Sequence, residues 1–326
     1  VILRLAALAL LAVAAFSASL LAGGTWLSPH DVLAALAQNG ASTDTVTIVW
    51  QLRLPRAVIA AVVGASLGVG GALLQGLLRN PLVDPYLTGV SAGAATAIAL
   101  AILAGLSPAL LPAFGFGAGL ATAVLVAALA RRGSGIDATR LILAGVSVSA
   151  LLSAVVTFAI ARSASPDAAQ EIIAWLAGSI AGRGWSDLFI ALPYALVGTL
   201  LAALAIPALN ALRIGEMRAR TIGLDVERAQ WTILAAASLL AASSVVLAGM
   251  VGFIGLVVPH VARRAVGSDA RVLLPASAIC GAGLCAAADA IARSVVAPSE
   301  LPLGVLLAFV GVPAFLYLYL HREQTA

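Results

Sequence analysis

Residues able to do covalent chemistry are scarce in this chain, and their spacing speaks against it. Gly89-Val90-Ser91-Ala92-Gly93 matches G-x-S-x-G, the turn that exposes a serine nucleophile when a strand precedes it and a histidine stands beside it. Here the pentapeptide lies in a Gly-rich apolar run of helical length. His260 is the only histidine eligible as a base, and nothing places it near Ser91, so serine hydrolysis is not expected. All 18 basic residues are arginine. Without lysine there is no phosphate-binding P-loop and no Schiff-base chemistry; if the protein uses ATP, another subunit binds it. Cys280 and Cys285 stand five apart on different faces of an apolar helix and read as small core residues. Asp289 is the one acid well inside an apolar segment. An intramembrane carboxylate is a candidate for proton or ion coupling, but Arg293, four residues on, offers the simpler account of an i, i+4 ion pair. No catalytic residue, resident cofactor or metal ligand is assigned, and the protein is not expected to be an enzyme.

The elements that carry these residues are membrane helices. The 326 residues are 62% hydrophobic and only 10% charged, which no soluble fold of this length needs. About 20 apolar residues cross the hydrocarbon of a bilayer. Ten segments qualify approximately: 5–23, 57–78, 87–105, 112–130, 141–161, 187–206, 230–249, 252–266, 273–292 and 302–320. The expected fold is all-α, a polytopic membrane protein with about ten transmembrane helices in a single domain, 1–326. The N-terminal apolar run after Arg4 is longer than a signal-peptide core and is read as the first span. With the N-terminus inside, arginine counting puts thirteen inside and five outside, the five being Arg53, Arg56, Arg162, Arg183 and Arg293. That is the positive-inside bias, and ten spans bring the C-terminus inside too. Residues 28–37 and 166–180 read as short amphipathic helices on the outer surface, the first capped by Ser28 with Pro29 in its first turn. GLLRNPLVDP (76–85) and GFIGLVVPH (252–260) echo each other five spans apart, which allows an inverted repeat of spans 2–5 and 7–10.

Two small-residue patterns bear on function. Gly64, Gly68 and Gly71 lie near one face of the second span, and Gly89 and Gly93 repeat the spacing in the third. Such residues let helix backbones approach closely; lining a wide cavity is the alternative. Gly145, Ser149, Ser153 and Thr157 form an i, i+4 stripe on the fifth span. Hydroxyls gain nothing against lipid, so the stripe faces other helices or a water-filled path, unless each bonds back to its own helix. The longest and most charged inner loop is 207–229. Within it Glu216 to Ile222 can form a short helix closed by Gly223, and Asp225 can cap the next helix. A compact helix–Gly–helix insert exceeds what topology requires and reads as a docking element; a solvated linker is the alternative.

LRLPR, GGALLQGLLRNPLVDPYLTGVSAGA, GFIGLVVPHVARR, DARVLLP and ELPLGV occur in this order. Over about residues 50–320 the chain resembles the FecCD permease family, membrane subunits of ABC importers for cobalamin, haem and ferric siderophores. The resemblance implies ten spans in the bacterial inner membrane with both termini cytoplasmic. Implied partners are a second copy of the chain, two ATP-binding subunits that hold ATP and Mg, and a periplasmic substrate-binding protein; no nucleic acid is implied. By motif, Arg53, Arg56 and Arg293 match outer arginines that meet acidic residues of the binding protein. Glu216, Arg218, Arg220, Gly223, Asp225 and Arg228 match the coupling helices that enter the ATPase. Asn80, Pro81 and Leu82, with Asp137, Ala138, Thr139 and Arg140, match the surroundings of the cytoplasmic gate. Tyr86 and Thr88 depart from the Gly and Leu of many members. The expected function is ATP-driven import of an iron chelate by alternating access, haem or a ferric siderophore before cobalamin. An ion-coupled secondary transporter is the competing class, and it would need Asp289 as its site.

Overall fold

The computed structural model describes residues 1–133, 135–163, 165–296 and 299–320; His321 and Arg322, the latter counted above among the inner arginines, lie outside them. In chain order the helices are α1 (Ile2–Leu21), α2 (Pro29–Leu36) and α3 (Thr43–Thr47), which runs through a π-helical turn (Ile48–Arg53) into α4 (Leu54–Leu78). After a 3-10 turn (Pro85–Thr88) come α5 (Val90–Leu103), α6 (Leu111–Ala130), the two-residue strands β1 (Arg131–Arg132) and β2 (Gly135–Ile136), α7 (Ala138–Arg162) and α8 (Pro166–Ala177). The rest are α9 (Trp185–Leu204), α10 (Ile206–Arg213), α11 (Glu216–Thr221), α12 (Val226–Ala248), α13 (Ile254–Val266), α14 (Ala270–Ala292) and α15 (Leu303–Leu320).

Among the described residues, seven helical stretches are long and apolar enough to cross a membrane: α1, the run Thr43–Leu78, Pro108–Ala130, α7, α9, α12 and α14. A helix stands at each of the ten positions expected above, but α5 and α13 have only 14 and 13 residues. Both start late for a local reason. Gly89, with φ +80°, ends the 3-10 turn before α5, and Phe253, with φ +69°, precedes α13. The second expected span is also longer than its apolar run, because the helix begins at Thr43 rather than 57. The π turn explains how Pro55 is tolerated there. A proline ring clashes with the carbonyl four residues back in a regular helix; here Leu54 N–H bonds five back, to Val49 O, in the wider turn of a π-bulge. The two short amphipathic helices form as expected: Ser28 accepts from Asp31 N–H at 3.1 Å at the start of α2, and Ser165 caps α8.

The centre of the bundle is α4 and α12. Van der Waals contact replaces the hydrophobic drive that lipid cannot supply, and glycines make that contact possible. A methyl at Gly64 would overlap the carbonyl of Gly281 in α14, and one at Gly71 the carbonyl of Gly255 in α13. Gly93 is equally tight against Ala118 and Thr122 of α6. The packing reading of these stripes therefore holds. α4 packs against α13 and α14, and α12 packs against α5 and α6. The outer faces of α6, α7 and α9 carry exposed Leu125, Leu151, Phe158, Phe189 and Leu200, as lipid or a partner subunit requires.

Candidate functional site

Three constellations stand along the bundle. At one end, Arg53, Arg56 and Arg293 surround a cavity of about 530 Å3, together with Arg183 and Glu300. The helix starts bring Arg53 and Arg56 there, and Arg293 is the C-cap of α14. All three arginines are partnered within the chain, and two of them are nearly buried. Arg53 is 5% exposed and Arg293 6%. α1 ends with no basic residue in its last turn, and terminal carbonyls of a helix need donors from outside it. Arg53 Nη1 donates to Leu20 O and Leu21 O at 2.8 Å each, and its Nη2 to Thr25 O. Arg293 Nη2 donates to Ser19 O. Both arginines thus fasten the end of α1 to α4 and α14.

Arg56 is arranged differently. Its Nε donates to Asp289 Oδ1 and Oδ2 at 2.9 and 3.1 Å. Its far edge meets Glu300, Nη1 to Oε1 and Nη2 to Oε2, at 2.9 Å each. Asp289 is 1% exposed, and Arg293 Nε lies 3.4 Å from its Oδ2. The i, i+4 pair read from the sequence therefore exists, but the nearer partner of Asp289 is Arg56, 233 positions away. Both oxygens of this acid are engaged, so it offers no free site for a coupling ion.

Midway, Ser149, Ser153 and Thr157 line one cavity of about 340 Å3 with Ser91, Val156 and Met250, between α5, α7 and α8. Thr157 Oγ1 also donates back to Ser153 O at 2.9 Å, so for that residue back-bonding and cavity lining coexist. Gly145 leaves the stripe and packs on Leu87 O. His260 lines a different cavity, with Pro81 and Arg264, so among the described residues no histidine stands beside the serine of the formal G-x-S-x-G pattern.

The other end gathers the loop residues. α11 starts at Glu216, and its end is a Schellman turn: Gly223 N–H bonds Arg220 O at 3.0 Å and Leu224 N–H bonds Ala219 O at 3.1 Å. The motif needs a left-handed residue at this point, and Gly223 has φ +86°. Asp225 accepts from Arg228 N–H at 3.1 Å to cap α12. These local expectations match; α10, which precedes them from Ile206, was not foreseen. Arg218 and Arg220 lie in the last turn of α11. Asn80 Oδ1 accepts from Leu82 N–H at 3.0 Å, which turns the chain after α4, and Pro81 lines the cavity beside Arg79. Asp137 accepts from Arg140 N–H at 2.9 Å and so caps α7, whose first turn holds Ala138 and Thr139. Backbone amides, the Arg140 one foremost, hold the Asp137 carboxyl below the usual carboxylate range; the Arg271 amide does the same for Asp269 at the start of α14.

One residue here escaped sequence reading. Gln230, 3% exposed in α12, accepts from Ile136 N–H at 2.9 Å and donates to Glu216 Oε1 at 3.3 Å. Glu216 also lies 3.9 Å from Arg79. Gln230 so ties α11 to the β1–β2 hairpin that leads into α7. A glutamine in the first turns of a helix carries no sequence signal for such a role.

The profile of the FecCD transport family matches residues 10–321. The chain is 41% identical over 310 residues to the vitamin B12 import system permease protein BtuC of Vibrio cholerae, covering 94% of this chain and 90% of that protein. It is 38% identical over 293 residues to the hemin transport system permease protein HmuU of Yersinia pestis, covering 88% and 87%. A solved structure described as an inward-facing conformation of a metal-chelate type ABC transporter matches with TM-score 0.86 at 32% identity, over 95% of this chain and 96% of that one. Membrane-length helices and these matches over nearly all of the chain agree: the chain belongs to the FecCD transport family and is a permease subunit of an ABC importer.

Proposed function

We propose that this permease passes a preformed metal macrocycle, cobalamin or haem, along the Ser149–Thr157 face of α7, between two copies of the chain. The observation that carries this reading is the cavity of about 340 Å3 on α7. Hydroxyls there would be poorly placed against lipid, and the described residues that line it are small, apolar or hydroxyl-bearing. Such a wall suits a cargo whose metal is already coordinated and which is held by shape and outer polar groups. Cobalamin and haem are both of this kind. Cobalamin comes first because the vitamin B12 relative is the more similar of the two named above.

Energy would enter at the Glu216 end, taken as cytoplasmic with both termini. Met217 and Ile222 are 82% and 65% exposed on α11, and apolar side chains rimmed by charge mark a docking surface. Motion of α11 would reach α7 through Glu216, Gln230 and the hairpin, and α4 through Arg79. The short α5 and α13 occupy corresponding places after α4 and α12, and each of those central helices packs against the other half. This supports an inverted repeat of spans 2–5 and 7–10 whose two states are biased by ATP below and a binding protein above. The binding protein would dock on the arginine cavity.

The test is uptake in proteoliposomes holding the permease, its ATPase and its binding protein. ATP-dependent entry of cyanocobalamin or hemin is expected. Entry of ferric citrate alone would overturn the macrocycle reading, and entry without ATPase subunits would overturn the importer arrangement.

A further inference from the structure

The arginine cavity holds an acidic occupant of its own. Of its four guanidinium groups, two are held by backbone carbonyls and a third by a carboxylate, Asp187, that also accepts from Gly184 N–H at 3.0 Å. Arg53 is held by the carbonyls of Leu20, Leu21 and Thr25. Arg293 is held by Ser19 O and Asp289. Arg183 pairs with Asp187 at 2.9 Å in the same stretch of chain. Arg56 alone presents an edge whose partner is movable. Its Nε and Nη2 are held by buried Asp289, while Nη1 and the outer side of Nη2 meet Glu300, whose side chain is 35% exposed. Glu300 sits on the link between α14 and α15, beside the backbone bond from Leu301 N–H to Ala292 O at 3.0 Å.

We infer that Glu300 is a resident stand-in for the binding protein's carboxylate: docking is an exchange in which an acidic side chain of the partner displaces Glu300 from the outer edge of Arg56. The inference rests on the reading that a binding protein docks on this cavity. Two parallel N–H···O bonds to a carboxylate are the strongest pairing a guanidinium makes. A buried arginine edge without a partner is costly, so an undocked permease needs an occupant there. Glu300 supplies one of the same geometry and charge as the newcomer. The exchange leaves Arg56 satisfied before and after, and its near balance keeps docking weak enough to reverse in each transport cycle. Glu300 also cancels one positive charge in the cavity, which lowers the field that steers an acidic partner in.

The experiment measures association of the cognate binding protein with the intact permease–ATPase complex in nanodiscs, at several salt concentrations. E300Q should bind about three- to tenfold more tightly, since one charge-assisted pair no longer competes, with faster association and a steeper fall with salt. E300A, which spares the Leu301–Ala292 bond, should change in the same direction. E300D should stay close to wild type. D167N removes an exposed carboxylate from α8 outside the cavity and should change little. Unchanged or weaker binding by both E300Q and E300A, or an equal gain in D167N, overturns the exchange. Absence of wild-type docking overturns the binding-protein reading itself, and the exchange with it.

Discussion

Asp289 shows how a single side chain organises one end of the molecule. It is buried between Arg56 and Arg293, and those arginines join α4, α14 and the end of α1. Replacing it with asparagine removes the charge and leaves both guanidiniums short of an acceptor. Breaking a buried pair from one side costs roughly 3–5 kcal/mol. D289N should therefore lower the melting temperature of the detergent-purified permease markedly; an unchanged melt would show that this ion pair is not structural. Half of the arrangement was legible, because Asp289 and Arg293 stand one helical turn apart. The other half was not, since Arg56 and the carbonyls of α1 come from distant parts of the chain, and the need for donors arises only when α1 docks. At the opposite end Asp137 and Asp269 cap α7 and α14. Both carboxyls titrate below their ordinary range, so their contribution is complete above the unfolded carboxylate pKa and is lost as pH falls through the folded one. Amide exchange in the first turns of these helices should accelerate on acidification beyond the intrinsic trend. Acid-insensitive protection there would contradict the capping assignment.

Among the elements, α11 gives the clearest test. Its Schellman turn needs Gly223 in the left-handed region, where a side chain with a Cβ costs about 1–2 kcal/mol. G223V should loosen the turn, move Met217 and Ile222, and reduce chelate uptake relative to ATP hydrolysis. Normal coupling in reconstituted G223V would remove α11 from the transmission path. The α7 stripe predicts a second pattern. In a background lacking Cys280 and Cys285, cysteines at Ser149 and Ser153 should react with a small polar thiol reagent in at least one nucleotide state. Protection of both in every state would make the cavity dry. What was legible here follows from local chemistry: the caps at Ser28 and Asp225, the Gly223 turn and the hydroxyl stripe each depend on neighbours within one turn. The early start at Thr43, the shortened α5 and the β1–β2 hairpin were missed, whereas the short α13 begins two residues after the expected 252. A π turn that admits Pro55, and left-handed Gly89 and Phe253, are local backbone features that hydropathy does not register.

On the scale of the whole molecule, α4 and α12 form a core held by glycine contacts, and each packs against the short helix and the next helix of the other half. Such a core is intolerant of bulk. G64L or G71L should prevent recovery of folded permease, as judged by a monodisperse profile in detergent, whereas G117L, at a position with open space, should be recovered normally. Around this rigid centre the account requires a route for the cargo, and it assigns that route to the α7 cavity. The most direct measurement is ATP-dependent uptake of cyanocobalamin and hemin into proteoliposomes containing S153W, compared with L151W. Ser153 lines the cavity, whereas Leu151 is 66% exposed on another face of the same helix. The account predicts that S153W abolishes uptake while L151W retains it. Undiminished uptake by S153W would contradict it and place the path elsewhere.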